Sequence, residues 1–476
     1  MPLENPKSDF SKWYSEILLR GNIVDVRTPI KGANVLLPNG YQIWEEIKRA
    51  LDDEFQKTGH QDAYFPIFIP EDFLEKEAEH FEGFVPEVAW VTKVGNTELK
   101  KKIALRPTSE TIMYYMYAQW INSHSDLPLK MNQFCNIIRM DTGETRPLLR
   151  DREFQWSEAH TCHATAEEAA EQVRESMRIY QTVFDELALS YMIFRRPPHD
   201  TFPGADYSIA YDTLLPDGRV LQIGTTHNLG QSFAKVFDIK FLDKDGETKI
   251  VHQTCYGMST RVIAAVISLH GDDQGLILPP RFAPTQIVVV PIIFKKVDKE
   301  IIEAAKKLEE ELKAQGYRVV ADTRDNYTAG WKFAEWEMKG TPIRLEIGPK
   351  DLASNSVLMV RRDTGKKQKV TREELTEVLE KTMVDIHQSL KKKAEDYLQS
   401  MIRDVRTYDE LKEMMETTRG IARGNWCGSE DCAKKIKDET KATVRGTRED
   451  LKEDPDGPCI YCGKEGKQMV YYAQQY

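Results

Sequence analysis

From Asn39 to Gln56 the apolar residues Ile43, Trp44, Ile47, Leu51 and Phe55 recur at helical spacing among polar neighbours, which predicts a helix with one buried face. A second helix is predicted from Thr108 to Ile121, opening after Pro107 with Ser109 and Glu110 in its first turn, and a third from Thr165 to Ser190. The runs around them are short and strand-like: Ala63–Ile69, Val88–Val94, Phe134–Met140, Phe154–His160 and Arg219–Gly224. Helices and strands mixed without a regular βαβ rhythm predict an α+β domain on an antiparallel sheet.

The pattern changes at the proline-rich bend Leu278-Pro279-Pro280-Arg281-Phe282-Ala283-Pro284. Beyond it, strands are predicted at Gln286–Phe294, Tyr317–Ala321, Ile343–Ile347 and Val357–Arg361, with an amphipathic helix at Asp298–Gln315 and a closing helix at Glu373–Tyr397. This is the pattern of a compact α/β domain. From Ser400 the chain reads as charged and helical, with too few apolar residues for a large core, so a metal would help it fold. The expected division is 1–283, 284–398 and 399–476, in keeping with the roughly three domains that 476 residues suggest.

Lys and Arg number 66 against 76 Asp and Glu, a net charge of −10. No apolar run approaches the roughly 18 residues of a membrane span, and the start Met1-Pro2-Leu3-Glu4 lacks the order of a signal peptide, so no membrane partner is expected. The acidic balance speaks against coating nucleic acid non-specifically and leaves room for a local basic surface. An odd total of seven cysteines argues against a disulfide framework and for a reducing, cytoplasmic location.

Four of those cysteines, Cys427, Cys432, Cys459 and Cys462, form two short pairs near the end of the chain. Four thiolates complete a tetrahedral structural zinc site and leave no open position for substrate. Two disulfides or free thiols are the alternative. A second group is the arginine ladder Arg139, Arg146, Arg150 and Arg152, with Arg261 far downstream. On a hairpin, alternation puts Arg150 and Arg152 on one face, where guanidinium forks would grip phosphates; a salt-bridged surface is the plainer reading. No P-loop or GxGxxG is present, so a nucleotide would be held another way. The segment Glu158–His163 could imitate a metal site, but alternation separates His163 from His160 and Cys162.

Arg106-Pro107-Thr108-Ser109-Glu110, Phe134–Arg139, Leu149–His160 and Gly257-Met258-Ser259-Thr260-Arg261 together resemble class II aminoacyl-tRNA synthetases. The likeness is nearest to the prolyl-tRNA synthetases of the archaeal and eukaryotic-like type, and runs from about Asp9 to Tyr476. It implies an antiparallel-sheet catalytic domain, an α/β anticodon-binding domain and a small zinc-binding α+β C-terminal domain. It also implies a homodimer, with Pro66 ending the motif at the interface.

By that resemblance Arg139 and Arg261 are the catalytic residues. Arg139 would hold the α-phosphate and the substrate carboxylate, and Arg150 and Arg261 the outer phosphates of a bent ATP that arrives with Mg²⁺. Asp141, Asp151, Gln222 and Thr225 match positions around the nucleotide; Asp141 stands where the class usually has glutamate. Thr108, Glu110, Phe154, Trp156, Glu158, His227 and Ser259 match the pocket for L-proline, where a carboxylate suits the secondary ammonium and flat aromatics suit the ring. Such a pocket rejects a similar amino acid by only about 1 to 3 kcal/mol, so cysteine or alanine can enter. The chain from Glu158 to Tyr256 is too short for a cis-editing insertion.

Phe333, Glu337 and Arg344 match residues that read the two guanines ending the proline anticodon of tRNA(Pro), with ordinary surface charge as the alternative. A non-catalytic synthetase-derived protein would be expected to have lost part of the arginine clamp. A threonine or serine enzyme would want a polar handle or metal where Phe154 and Trp156 stand.

Overall fold

A computed structural model describes residues 3–78, 88–140, 143–293 and 299–476. The first predicted helix forms from Pro38 to Lys57, with Pro38 in the opening turn, where a missing N–H leaves no bond unmade. The third forms over Ala166–Glu186, started by a reciprocal capping box between Thr165 and Glu168. With Phe10–Arg20 and Arg261–His270 they cover one face of a large sheet, and Trp13, Trp44, Tyr180 and Phe184 fill the core between. The helix Glu110–Trp120 lies in a separate cluster with Phe65, Phe233 and Phe241.

The sheet has eleven strands among the described residues. One part of it is antiparallel in the order Met192–Arg195, Tyr207–Leu214, Val220–Gly230, His252–Ser259, Glu153–His163 and Leu129–Ile138. Beyond the bend a separate five-stranded mixed sheet is built on Ile287–Pro291, Val319–Ala321, Ile343–Ile347, Ser356–Arg361 and Lys367–Thr371. Its closing helix, Leu375–Ser400, buries Leu379 and Ile386 in that domain's core, then lays Ala394 against the core of the large sheet.

Two expectations fail. The strand predicted at Ala63–Ile69 is broken into Gln61–Asp62 and Phe68–Pro70, because Pro66 has no N–H and side chains replace a neighbouring strand. The Phe65 N–H donates to Gln133 and the Phe65 carbonyl accepts from Arg106. The chain after Ser400 is not mainly helical: Ile402–Asp404, Ile421–Trp426, Gln468–Gln474 and Ala442–Arg448 extend the large sheet past Met192–Arg195. The segment borrows a sheet edge and adds its own core around Trp426, Ile436 and Tyr472. Phe294 and Asp298, the predicted ends of a strand and a helix, lie outside the described residues, as does Asp141.

Candidate active site

The strand Glu153–His163 has period two, so Phe154, Trp156, Glu158 and His160 share a face. Its partner strand sets Ser259 opposite Trp156. On Val220–Gly230 the same alternation aims Thr225 and His227 together and should turn Gln222 away. A bulge corrects this: Tyr211 pairs with Gly224 and Asp212 with Gln222, so Ile223 is an extra residue and Gln222 swings onto the face of Thr225. These side chains line one cavity of about 570 Å³.

At one end of the cavity are three guanidiniums, those of Arg139, Arg150 and Arg261. Arg261 opens the helix Arg261–His270 and is anchored by Nε donating to the Leu149 carbonyl at 2.9 Å. Burial, then the like charges of Arg139 and Arg150, lower its pKa to about 10, so it remains a cation at neutral pH. Arg139 donates to the Pro107 carbonyl at 3.1 Å and lies over the rings of Phe154 and Trp156, which meet edge to face. Asp151 is held by the Leu148 N–H at 2.7 Å and Asn34 at 2.8 Å, yet burial raises its pKa to about 7. Like charges gathered beside low-dielectric walls attract a polyanion.

The other end is a pocket of buried acids. Glu110 accepts from the Thr108 hydroxyl, and Glu158 from Ser109 and from Gln133 Nε2 at 2.6 Å. Burial would raise the Glu158 carboxyl; His160, Ser109 and Gln133 outweigh it and hold it below the ordinary value. The His227 Nδ1 meets the Ser208 hydroxyl at 2.7 Å, and burial lowers its pKa to about 3, leaving a neutral imidazole against Phe202. Glu110, His160 and Cys255 offer ligand atoms within 4.8 Å of one another. Tyr114 bonds one nitrogen of His160 at 2.8 Å, Glu158 faces the other at 3.4 Å, and burial pushes the Cys255 thiol well up. The trio is therefore a hydrogen-bonded wall, and Cys162, which accepts from Gln253 Nε2 at 3.6 Å, is not among the grouped ligand atoms.

Every sequence-predicted catalytic, proline-site and nucleotide-site residue within the described chain lines this cavity: Thr108, Glu110, Arg139, Arg150, Asp151, Phe154, Trp156, Glu158, Gln222, Thr225, His227, Ser259 and Arg261. The arginine ladder divides, however. Arg150 and Arg152 precede the strand, which begins at Glu153, so alternation does not apply to them, and Arg152 is absent from the cavity wall. Arg146 turns away to lie over Phe10, Tyr14 and Tyr476. Arg196, Phe202, Gln475 and Tyr476 also line the cavity and carry no local sequence signal. The Tyr476 hydroxyl accepts from Arg146 at 3.1 Å and Arg219 at 3.0 Å, which brings the last residue to the site.

Two further constellations stand away from the cavity. Phe333 and Glu337, one helical turn apart on Ala329–Met338, face Arg344 on Ile343–Ile347. Arg344 donates to Glu337 at 2.7 Å and to Glu346 at 3.0 Å. The sulfurs of Cys427, Cys432, Cys459 and Cys462 lie within 4.8 Å of one another, with Cys427 3.7 Å from both Cys432 and Cys462. That is far beyond a disulfide bond of about 2.05 Å and close to the edge, about 3.8 Å, of a tetrahedron with 2.3 Å metal–sulfur bonds.

Family models match along the chain: the tRNA synthetase class II core domain (G, H, P, S and T) over residues 90–270, an anticodon binding domain over 286–382, and the prolyl-tRNA synthetase C-terminal domain over 408–476. Proline–tRNA ligase of Methanothermobacter thermautotrophicus is 46% identical over 463 residues, 96% of this chain and 94% of its own. That of Pyrococcus horikoshii is 45% identical over 472 residues, 98% of each chain. Giardia lamblia prolyl-tRNA synthetase, solved with prolyl-adenylate, superposes with a TM-score of 0.94 at 38% identity over the whole of both chains. The Cryptosporidium parvum enzyme, solved with halofuginone and AMPPNP, gives 0.93 at 36%, covering 100% of this chain and 99% of that one. With its core, anticodon-binding and C-terminal domains all matched in order, the chain belongs to the prolyl-tRNA synthetases of class II, in their archaeal and eukaryotic-like type.

Proposed function

We propose that this chain is a proline–tRNA ligase that joins L-proline to ATP as prolyl-adenylate and then transfers the prolyl group to the 3′ end of tRNA(Pro). The observation that carries the reading is the convergence of Arg139, Arg150 and Arg261 at one end of a cavity whose other end holds Glu110 and Glu158. The secondary ammonium of proline is drawn to Glu110, with Thr108 and Glu158 beside it. Phe154, Trp156, His227 and Ser259 enclose the ring.

The proline carboxylate, turned toward Arg139, attacks the α-phosphorus of ATP; the bond to the β-phosphate oxygen breaks and pyrophosphate leaves. Magnesium enters with ATP as part of that substrate. Arg139, Arg150 and Arg261 bear the charge that gathers on the phosphoryl oxygens, while Gln222, Thr225 and Asp151 surround the nucleoside and phosphates; Asp141 is assigned to the nucleotide by the resemblance alone. The 3′-hydroxyl of tRNA then attacks the carbonyl carbon of the mixed anhydride, and AMP departs. Positioning and fixed charge suffice, with no protein nucleophile.

The division of labour assigns activation to 1–283, anticodon reading to 284–398 through Phe333, Glu337 and Arg344, and a structural zinc to 399–476 through its four cysteines. The sulfur spacing suits that ion. Exposed Tyr64 and Phe68 flank Pro66 and support a homodimer interface there. A cytoplasmic location belongs to this reading on the odd cysteine count, and no helix of the described residues is long and apolar enough to cross a membrane. Cysteine and alanine are expected as weak competing substrates, with no editing domain in the same chain. ATP–pyrophosphate exchange with each of the twenty amino acids tests the reading: proline should support it best, and exchange with another amino acid in the absence of any with proline would overturn it.

A further inference from the structure

The C-terminal strand Ala442–Arg448 docks on Met192–Arg195 at a glycine. Gly446 has φ +118, and a Cβ there would lie 2.0 Å from the Arg195 carbonyl oxygen, so only glycine permits the approach. The register against Gln468–Gln474 slips between Val444 and Gly446, which releases Arg445 from regular pairing. Its side chain runs into the catalytic domain, 2% exposed, and Nε donates to Asp212 Oδ2 at 2.8 Å. Asp212 Oδ1 accepts from Arg196 Nη2 at 2.9 Å, and Arg196 Nη1 donates to the Arg445 carbonyl at 2.9 Å. Burial by itself would raise the Asp212 carboxyl; the guanidiniums of Arg196 and Arg445 hold it below the ordinary value, as an anion. The result is a closed, buried loop of hydrogen bonds across the two domains.

Arg196 Nη2 also donates to Gln222 Oε1 at 2.8 Å. A guanidinium offers only donors, so the amide of Gln222 must turn its oxygen to Arg196 and present its NH₂ to the cavity. We infer that Arg445 is a positioning residue for the nucleotide: through Asp212 and Arg196 it locks the Gln222 amide with its N–H donors facing the cavity, so a residue of the C-terminal domain sets the affinity of the catalytic domain for ATP. The inference rests on the proposed placement of ATP beside Gln222. A purely structural strut would weaken every property of the enzyme together, whereas an amide lock acts on one substrate.

The test is steady-state ATP–pyrophosphate exchange on the full, zinc-loaded chain, with zinc content and thermal midpoint measured alongside. Arg445→Met is expected to raise KM for ATP about fivefold to tenfold, the worth of one hydrogen bond, with KM for proline within twofold of wild type. Gln222→Glu keeps an acceptor for Arg196 but removes the two N–H donors, and should raise KM for ATP by a similar factor. Combining it with Arg445→Met should add less than twofold. An unchanged KM for ATP, equal rises for both substrates, or effects that multiply in the double variant would overturn the inference. Arg445→Lys keeps a cation at Asp212 without the guanidinium fork and should give an intermediate rise; if Arg445→Met does not fold, the lysine variant decides by the same comparison. A wild-type chain without proline-dependent exchange would instead sink the functional reading, and this inference with it.

Discussion

The guanidinium of Arg344 lies 3.9 Å from the centre of the Phe333 ring. Ion pairs to Glu337 at 2.7 Å and Glu346 at 3.0 Å fix that guanidinium against the ring, and in the proposed anticodon reading it is the donor that meets guanine. Arg344→Ala should lower kcat/KM for tRNA(Pro) roughly tenfold to a hundredfold, at about 1 to 3 kcal/mol for one base contact, and leave proline-dependent pyrophosphate exchange within twofold. Equal loss of both activities would refute the assignment.

Glu110 is buried in the cavity wall, and in the proposed function its carboxylate is the group that meets the secondary ammonium of proline. Glu110→Gln keeps the size and removes the charge. The expected result is a fall in kcat/KM for proline of roughly tenfold to a hundredfold, the worth of a hydrogen bond to a charged group, with KM for ATP little changed. Exchange kinetics with each substrate varied in turn read the split; a defect confined to ATP would argue that the two ends of the cavity have been reversed.

Three buried histidines and the half-buried His227 predict acid sensitivity. Burial lowers His60 to about 4 and His163, His227 and His270 to about 3, while the unfolded chain titrates near 6.5. Folded pKa values below the unfolded ones mean that the unfolded state takes up protons first as pH falls. Their stabilising contribution is complete above about 6.5 and declines toward pH 3, by up to about 1.4 kcal/mol per pH unit for each group. All four belong to residues before 283, so calorimetry from pH 7 to pH 5 should show the catalytic transition dropping faster than that of the anticodon-binding part. Parallel behaviour of the two transitions would count against these assignments.

The cysteine tetrad should carry one zinc per chain, countable by atomic emission. Stripping it, or making Cys459→Ser, removes a crosslink that structural zinc sites value at about 10 kcal/mol or more. The C-terminal transition should then move to lower temperature, and protease cleavage should concentrate between residues 400 and 476. Protein that is purified without zinc and melts identically with and without a chelator would dispose of the metal.

Most of the catalytic cavity was legible in the linear chain, through motifs whose members lie a few residues apart. Thr108 with Glu110 and Phe154 with Trp156 are local pairs, and their shared faces follow from a helix start and a strand's period of two. Where alternation was extended beyond the strand, to Arg150 and Arg152, it misled, because the sheet begins only at Glu153. Gln222 reaches the cavity through a bulge at Ile223 that ordinary alternation would deny, and the resemblance rather than periodicity pointed to it.

The amphipathic stripes, the proline-rich bend and the two cysteine pairs were determined by the sequence alone, because each is set by contacts among near neighbours. The tertiary structure alone decided that the C-terminal strands would complete the catalytic sheet and that Arg445 would reach Asp212, 233 residues away. It also decided that Tyr476 would close over Arg146 and Arg219. Such contacts depend on which sheet edge is left unpaired and which buried charge lacks a partner, and no spacing between neighbouring residues encodes either.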